Sequence, residues 1–315
     1  MPDSVVAPET PVAPQPRYAA PVDLSRFAWL SIAAGFATFT AKALAAWMTG
    51  SVGLLSDAAE TVVNLVAAFV ALAALRVAIQ PPDKGHPYGH SKAEYFSAIV
   101  EGTMIFVAAV FIIYTAIERL IHPRELENLG VGLLISVAAS IVNGVVAIIL
   151  FKQGKLHDSA TLTADAKHLT TDVITSGAVL LGVGLVAVTR VPWLDPVVAL
   201  LAGINILWTG FKLVKDSVNQ LMDHALPDSE VAQLNELLES YTTDDVSFHA
   251  VRTRGAGNRH FAAFHVLVPG DWTVKHGHDV TEDIIDAILK KLPSMRVDAH
   301  LEPREDPRSY EDQEI

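Results

Sequence analysis

Apolar stretches of about 20 residues, each long enough to span a bilayer, follow one another along the chain up to Lys215: 24–48, 52–79, 95–120, 131–151, 159–189 and 197–214. Polar segments punctuated by Pro and Gly separate them, such as QPPDKGHPYGHSK after the second and KQGK after the fourth. From residue 227 the pattern changes. DSEVAQLNELLESY has the period of an amphipathic helix capped after Pro227, and VSFHAVRTR and RHFAAFHVLVP alternate as two strands around Gly255-Ala256-Gly257-Asn258, a hairpin signal. A second helix is predicted over Asp279–Leu292 and a third strand over Met295–Leu301. The pattern predicts an α-helical membrane protein with six transmembrane helices, followed by a small α+β domain of order α-β-β-α-β, ferredoxin-like or metallochaperone-like.

Composition sharpens this division. The chain is 51% hydrophobic with mean hydropathy +0.35, too apolar for an average soluble protein and too charged to lie wholly in lipid. Residues 1–23 are Pro-rich and polar and read as a disordered tail without the basic start of a cleaved signal peptide. The domains expected are that tail, a transport-type bundle over 24–216, a soluble domain over 227–303 and a disordered acidic tail over 304–315. Basic residues next to span ends, among them Arg26, Lys84, Lys92, Lys152, Lys155 and Lys215, fall on one side of a six-span chain. The positive-inside rule puts that side, both termini and the soluble domain in the cytoplasm. A net charge of −12 argues against nucleic acid as a partner. With no Cys in the chain, a bound metal has only His, carboxylate and amide ligands to draw on.

Ionisable groups at membrane depth are costly and by default mark the path of an ion or proton. The fifth span, in TLTADAKHLTTDVITS, places His168 and Asp172 four residues apart on one helix face; the second, in GSVGLLSDAAETVVN, places Glu60 and Asn64 at the same spacing. Together they supply four groups, the number a tetrahedral divalent metal takes. The plainer reading is that these residues join helices by hydrogen bonds, the role assigned to Asp57; two matched pairs favour the site. Three further ligands, Asp83, His86 and His90, share the loop after the second span. In the soluble domain, His249 and His265 lie on the two hairpin strands, His278 starts the second helix, and His300 with Glu302 shares one face of the last strand. His260 and His276 read as surface imidazoles.

The paired motifs, the HPYGH loop, the ALPDSE start of the soluble domain and its His pattern resemble bacterial members of the cation diffusion facilitator family, from about Leu24 to Glu302. The resemblance implies a homodimeric exporter of divalent metal ions in the bacterial inner membrane, with zinc the first expectation and protons the counter-ion. By position it makes Glu60, Asn64, His168 and Asp172 the transport site, and Asp83, His86 and His90 a loop site. It makes His249, His265, His278, His300 and Glu302 a cytoplasmic-domain site. Lys92, Asp223 and Arg254 fall where relatives have a charge cluster that ties protomers together. One departure stands out: zinc-transporting relatives carry Asp or His and then Asp on the second span, where this chain has Glu60 and Asn64. The neutral, harder amide oxygen keeps iron, manganese, cobalt and nickel open as cargo. A membrane-anchored metal sensor without transport is the rival function, and it has no use for four ligands at bilayer depth.

Overall fold

A computed structural model of the chain describes residues 22–49, 52–122, 130–191 and 193–311. Six long helices come first: α1 (Ser25–Thr49), α2 (Val52–Ala78), α3 (Ala93–Ile121), α4 (Gly130–Leu156), α5 (Ala160–Thr189) and α6 (Leu194–Leu221). Then follow α7 (Asp228–Tyr241), β1 (Ser247–Ala256), β2 (Arg259–Val268), α8 (Val274–Lys291) and β3 (Met295–Pro303). The three strands form one sheet of order β1-β2-β3. The fold is a helical transmembrane domain followed by a cytoplasmic domain with helices and a three-stranded sheet. The turn expected at 49–51 and the connector after the third span lie largely outside the described residues, as does the N-terminal tail.

Among the described residues, four stretches are long and apolar enough to cross a membrane: Ser25–Leu44, Ala93–Ile121, Val137–Leu156 and Pro196–Leu221. The paired polar motifs lie on α2 and α5. In α2 the described residues include an apolar helical stretch over Asn64–Ala78, and α5 carries Asp165, Lys167, His168 and Asp172 in its first half. Two clusters hold the bundle. One joins α1, α2, α4 and α5 through Leu24, Ile32, Leu72, Leu75, Leu150, Leu162 and Leu169; the other joins α3, α5 and α6 through Ala98, Ile105, Ala164, Ile206 and Leu213. Helix α5 belongs to both. The α3–α6 contact is close because Gly210 faces it: a Cβ there would stand 2.8 Å from the Phe106 backbone nitrogen.

By contact, the chain falls into two units. One comprises Val22–Val231 with Arg252–Phe261, the tip of the β1–β2 hairpin; the other comprises Ala232–Val251 and Ala262–Ile315 with the rest of the sheet. Three expectations are corrected. Helices α4 and α6 run past the predicted span ends through KQGK and through Lys215-Asp216, since good helix formers continue a helix once it leaves lipid. Helix α8 starts at Val274, before the predicted Asp279, because the Thr273 side chain accepts a hydrogen bond from the His276 N–H and caps it. Residues 304–311 are ordered rather than part of a disordered tail. A 3₁₀ turn over Pro307–Tyr310 is capped by Asp306 and tied down by Ser309 Oγ donating to the Pro303 carbonyl at 2.8 Å and Tyr310 Oη to that of Arg304 at 3.0 Å. The Arg308 guanidinium beside Asp306 lowers that carboxyl to about 2.

Candidate functional site

The α4–α5 turn sets where the membrane site begins. Ser159 accepts from the Leu162 N–H at 3.3 Å as an N-cap. Its hydroxyl in turn donates to the Glu94 carboxylate on α3, which also takes the Thr161 N–H at 3.3 Å. Asp165 and His168 then follow three residues apart, with Asp172 one further turn along, on a single face of α5. Asp165 Oδ1 accepts from Ser31 Oγ of α1 at 3.2 Å, so this buried carboxylate joins α1 to α5.

His168 and Asp172 meet on Asn64 of α2. The Asn64 amide nitrogen donates to Asp172 Oδ2 at 2.6 Å, and its carbonyl oxygen lies 2.9 Å from His168 Nε2. An amide carbonyl only accepts, so Nε2 carries the imidazole proton in this arrangement. Asn143 of α4 adds a second, longer donor to Asp172 Oδ2 at 3.4 Å. Three of the four predicted ligands thus stand together. Glu60 lies on α2 one turn before Asn64, and its side chain is outside the described ones. Asn143 escaped the sequence reading, although a single Asn inside the apolar ISVAASIVNGVVAIIL of α4 is the signal that points to it.

In the loop after α2, Asp83 gathers both histidines: His86 Nδ1 lies 3.2 Å from Oδ1 and His90 Nε2 3.4 Å from Oδ2. The backbone N–H of His86, with that of Gly85, donates to Oδ1 and holds this carboxyl below the usual carboxylate range. One ligand atom from each of the three residues fits within a 4.8 Å spread. The hairpin tip secures the loop: Arg259 donates to the Tyr88 carbonyl at 3.2 Å, and Arg254 lies 5.1 Å over the Tyr88 ring. Gly89, at φ +87°, leaves the space its Cβ would need to the Arg259 guanidinium. Asp223 takes Lys92 Nζ at 2.8 Å and Arg254 Nη1 at 3.2 Å, an ion cluster formed within one chain.

The sheet places its ligands on neighbouring strands. His249 Nε2 is 3.0 Å and His265 Nδ1 3.2 Å from the same oxygen, Glu302 Oε2, and the two nitrogens are 3.2 Å apart. His300 reaches the other oxygen, Oε1, at 3.3 Å from a more exposed position. Ala250 follows His249 at φ 50°, a left-handed conformation uncommon for a residue with a Cβ, and bends β1 beside the cluster. His278 is not brought in: with α8 starting at Val274 it lies on the exposed side of the helix. His260 is not a surface imidazole. It is buried, with Nδ1 2.7 Å from Glu230 and Nε2 3.9 Å from Asp158.

Two family models account for nearly all of this. The cation efflux transmembrane domain matches residues 28–222, and the cytoplasmic domain of cation efflux proteins matches 226–304. The chain belongs to the cation efflux family. It is a multi-pass membrane protein and a metal cation efflux transporter. It is 49% identical to an uncharacterised transporter of Synechocystis sp. over 285 residues, which cover 90% of this chain and 92% of that protein. It is 31% identical to the cation-efflux pump FieF of Salmonella arizonae over 284 residues, covering 89% and 93%. A solved structure of CzrB in a zinc form overlaps 27% of this chain and 96% of its own at 29% identity, with a TM-score of 0.25.

Proposed function

We propose that the transporter exports a divalent metal ion, zinc first and iron, manganese, cobalt or nickel by the same ligands, across the bacterial inner membrane in exchange for protons. The observation that carries this reading is the convergence of Asn64, His168 and Asp172 from α2 and α5, two helices that the sequence pattern predicts to span the membrane. Glu60, one turn from Asn64, completes four groups. Their chemistry suits a divalent ion: two carboxylates, one imidazole and one amide oxygen. Metal binding displaces the Asn64 hydrogen bonds and the proton of His168, so protons and metal compete for the same atoms. Imidazole is the side chain whose charge changes closest to neutral pH, which suits His168 to proton exchange.

The loop set Asp83, His86 and His90 and the sheet set His249, His265, His300 and Glu302 bind the same class of ion as cytoplasmic sites. His278 takes part only through a rearrangement or a partner's domain. The working form is a homodimer with both termini in the cytoplasm. Sensing without transport is the second reading, supported by the sheet cluster alone. Flux into sealed proteoliposomes under an imposed pH gradient separates the two: the wild type accumulates zinc and collapses the gradient, and His168→Ala does neither. Metal binding without flux by the wild type would replace transport with sensing.

A further inference from the structure

A cavity of about 450 Å3 opens between α4, α5 and α6 on a face of the bundle where Ile148 is 71% and Phe151 40% exposed. Pockets of about 300–1,000 Å3 accommodate ligands the size of drug molecules. Its two ends differ in character. Near the α4–α5 turn stand Lys152, four residues before the end of α4, and Lys167, seven residues into α5. At a rise of 1.5 Å per residue these are about 6 Å and 11 Å from the turn along their helices, whereas Ile174 is about 21 Å from it along α5 and packs in one cluster with Ile206 of α6.

Further charge collects at the same end. Lys155 Nζ is 4.6 Å from the ring of Phe151, which lines the cavity. Among the described residues, Lys152 and Lys167 line the cavity and no carboxylate does, a lining that disfavours a metal dication. The two lysines attract an anion. An anion with an apolar tail, presented at a membrane-facing opening, is a lipid, and basic pockets between transmembrane helices bind anionic headgroups.

We propose that the cavity is a binding site for an anionic glycerophospholipid, its phosphate against Lys152 and Lys167 and one acyl chain along Ile174 and Ile206. The rest of the lipid stays in the bilayer. The site is independent of which metal is carried and of proton coupling.

The test uses the full-length protein in nanodiscs of equal parts phosphatidylglycerol and phosphatidylcholine, with retained lipids counted by native mass spectrometry. The wild type retains phosphatidylglycerol in excess of its share. Lys152→Gln with Lys167→Gln lowers that excess, by roughly fivefold for each lysine. Thr170→Trp fills the cavity without altering charge and lowers it as well. An excess unchanged in either variant overturns the site, as does equal displacement of the lipid by soluble glycerol phosphate.

Discussion

In the helical bundle the polar groups meet through an amide; in the sheet they meet on a carboxylate oxygen. Asn64 satisfies His168 with its carbonyl and Asp172 with its amino group, so the bundle set is joined through this one amide by hydrogen bonds of 2.9 and 2.6 Å. In the sheet, two imidazole nitrogens 3.2 Å apart face one oxygen, Glu302 Oε2. A cation bound there relieves that crowding directly. In the bundle it has to displace an existing network. The first arrangement suits a site that must both take up and let go of its ion, the second a site that retains it.

The largest expected effect falls on the bundle. Asp172→Ala lowers metal flux by more than about 100-fold, beyond the 10–100-fold typical of losing a group that only supports a ligand, while the variant elutes and melts like the wild type. Flux at the wild-type rate would break the comparison. In that same Asp172→Ala background, adding His265→Ala and His300→Ala lowers calorimetric zinc binding about 10- to 100-fold at the remaining high-affinity site. Unchanged binding would remove the sheet from the metal-binding surface.

A smaller effect tests the amide itself. Asn64→Asp places a carboxylate beside Asp172 and favours zinc, so the ratio of zinc to manganese flux rises severalfold. A lowered ratio would assign the preference to groups behind the ligands, Asn143 among them. The smallest effect concerns Asp223. Hydrogen bonding from Lys92, aided by the Arg254 charge, depresses its ionisation below the usual carboxylate range. A depressed carboxyl stabilises the folded state above its unfolded-state pKa and loses that contribution as pH falls through the folded value. Lys92→Met therefore lowers the melting temperature at neutral pH and not in strong acid; with the Asp223 side chain half exposed, the difference is below about 1 kcal/mol.

Much of this was legible in the chain before the fold was known, for identifiable reasons. Hydropathy located the six long helices because lipid forces every backbone group into a helix, and the i, i+4 spacing of His168 and Asp172 needs only helix geometry. What the sequence hid depended on contacts between distant segments. The start of α8 looked like loop because HGHD is polar and contains a glycine. In the fold, Thr273 caps it, and Gly277 is buried where a Cβ would collide with Leu301 of β3. His260 looked like a surface residue because its partners, Glu230 and Asp158, are 30 and about 100 positions away. Asp165 shares a helix face with the transport pair and also binds Ser31 of α1, a link that periodicity does not show.

Gly89 constrains how this chain can change. It binds nothing and lies beyond the membrane, yet the smallest possible addition there, one methyl group, would evict the Arg259 guanidinium from its place beside the Tyr88 carbonyl. The next residue is His90. A lineage of such transporters can therefore vary the ligands of this loop one at a time and tune its affinity by degrees, whereas a change at position 89 strains the backbone at φ +87° and shifts the Arg259 contact at once.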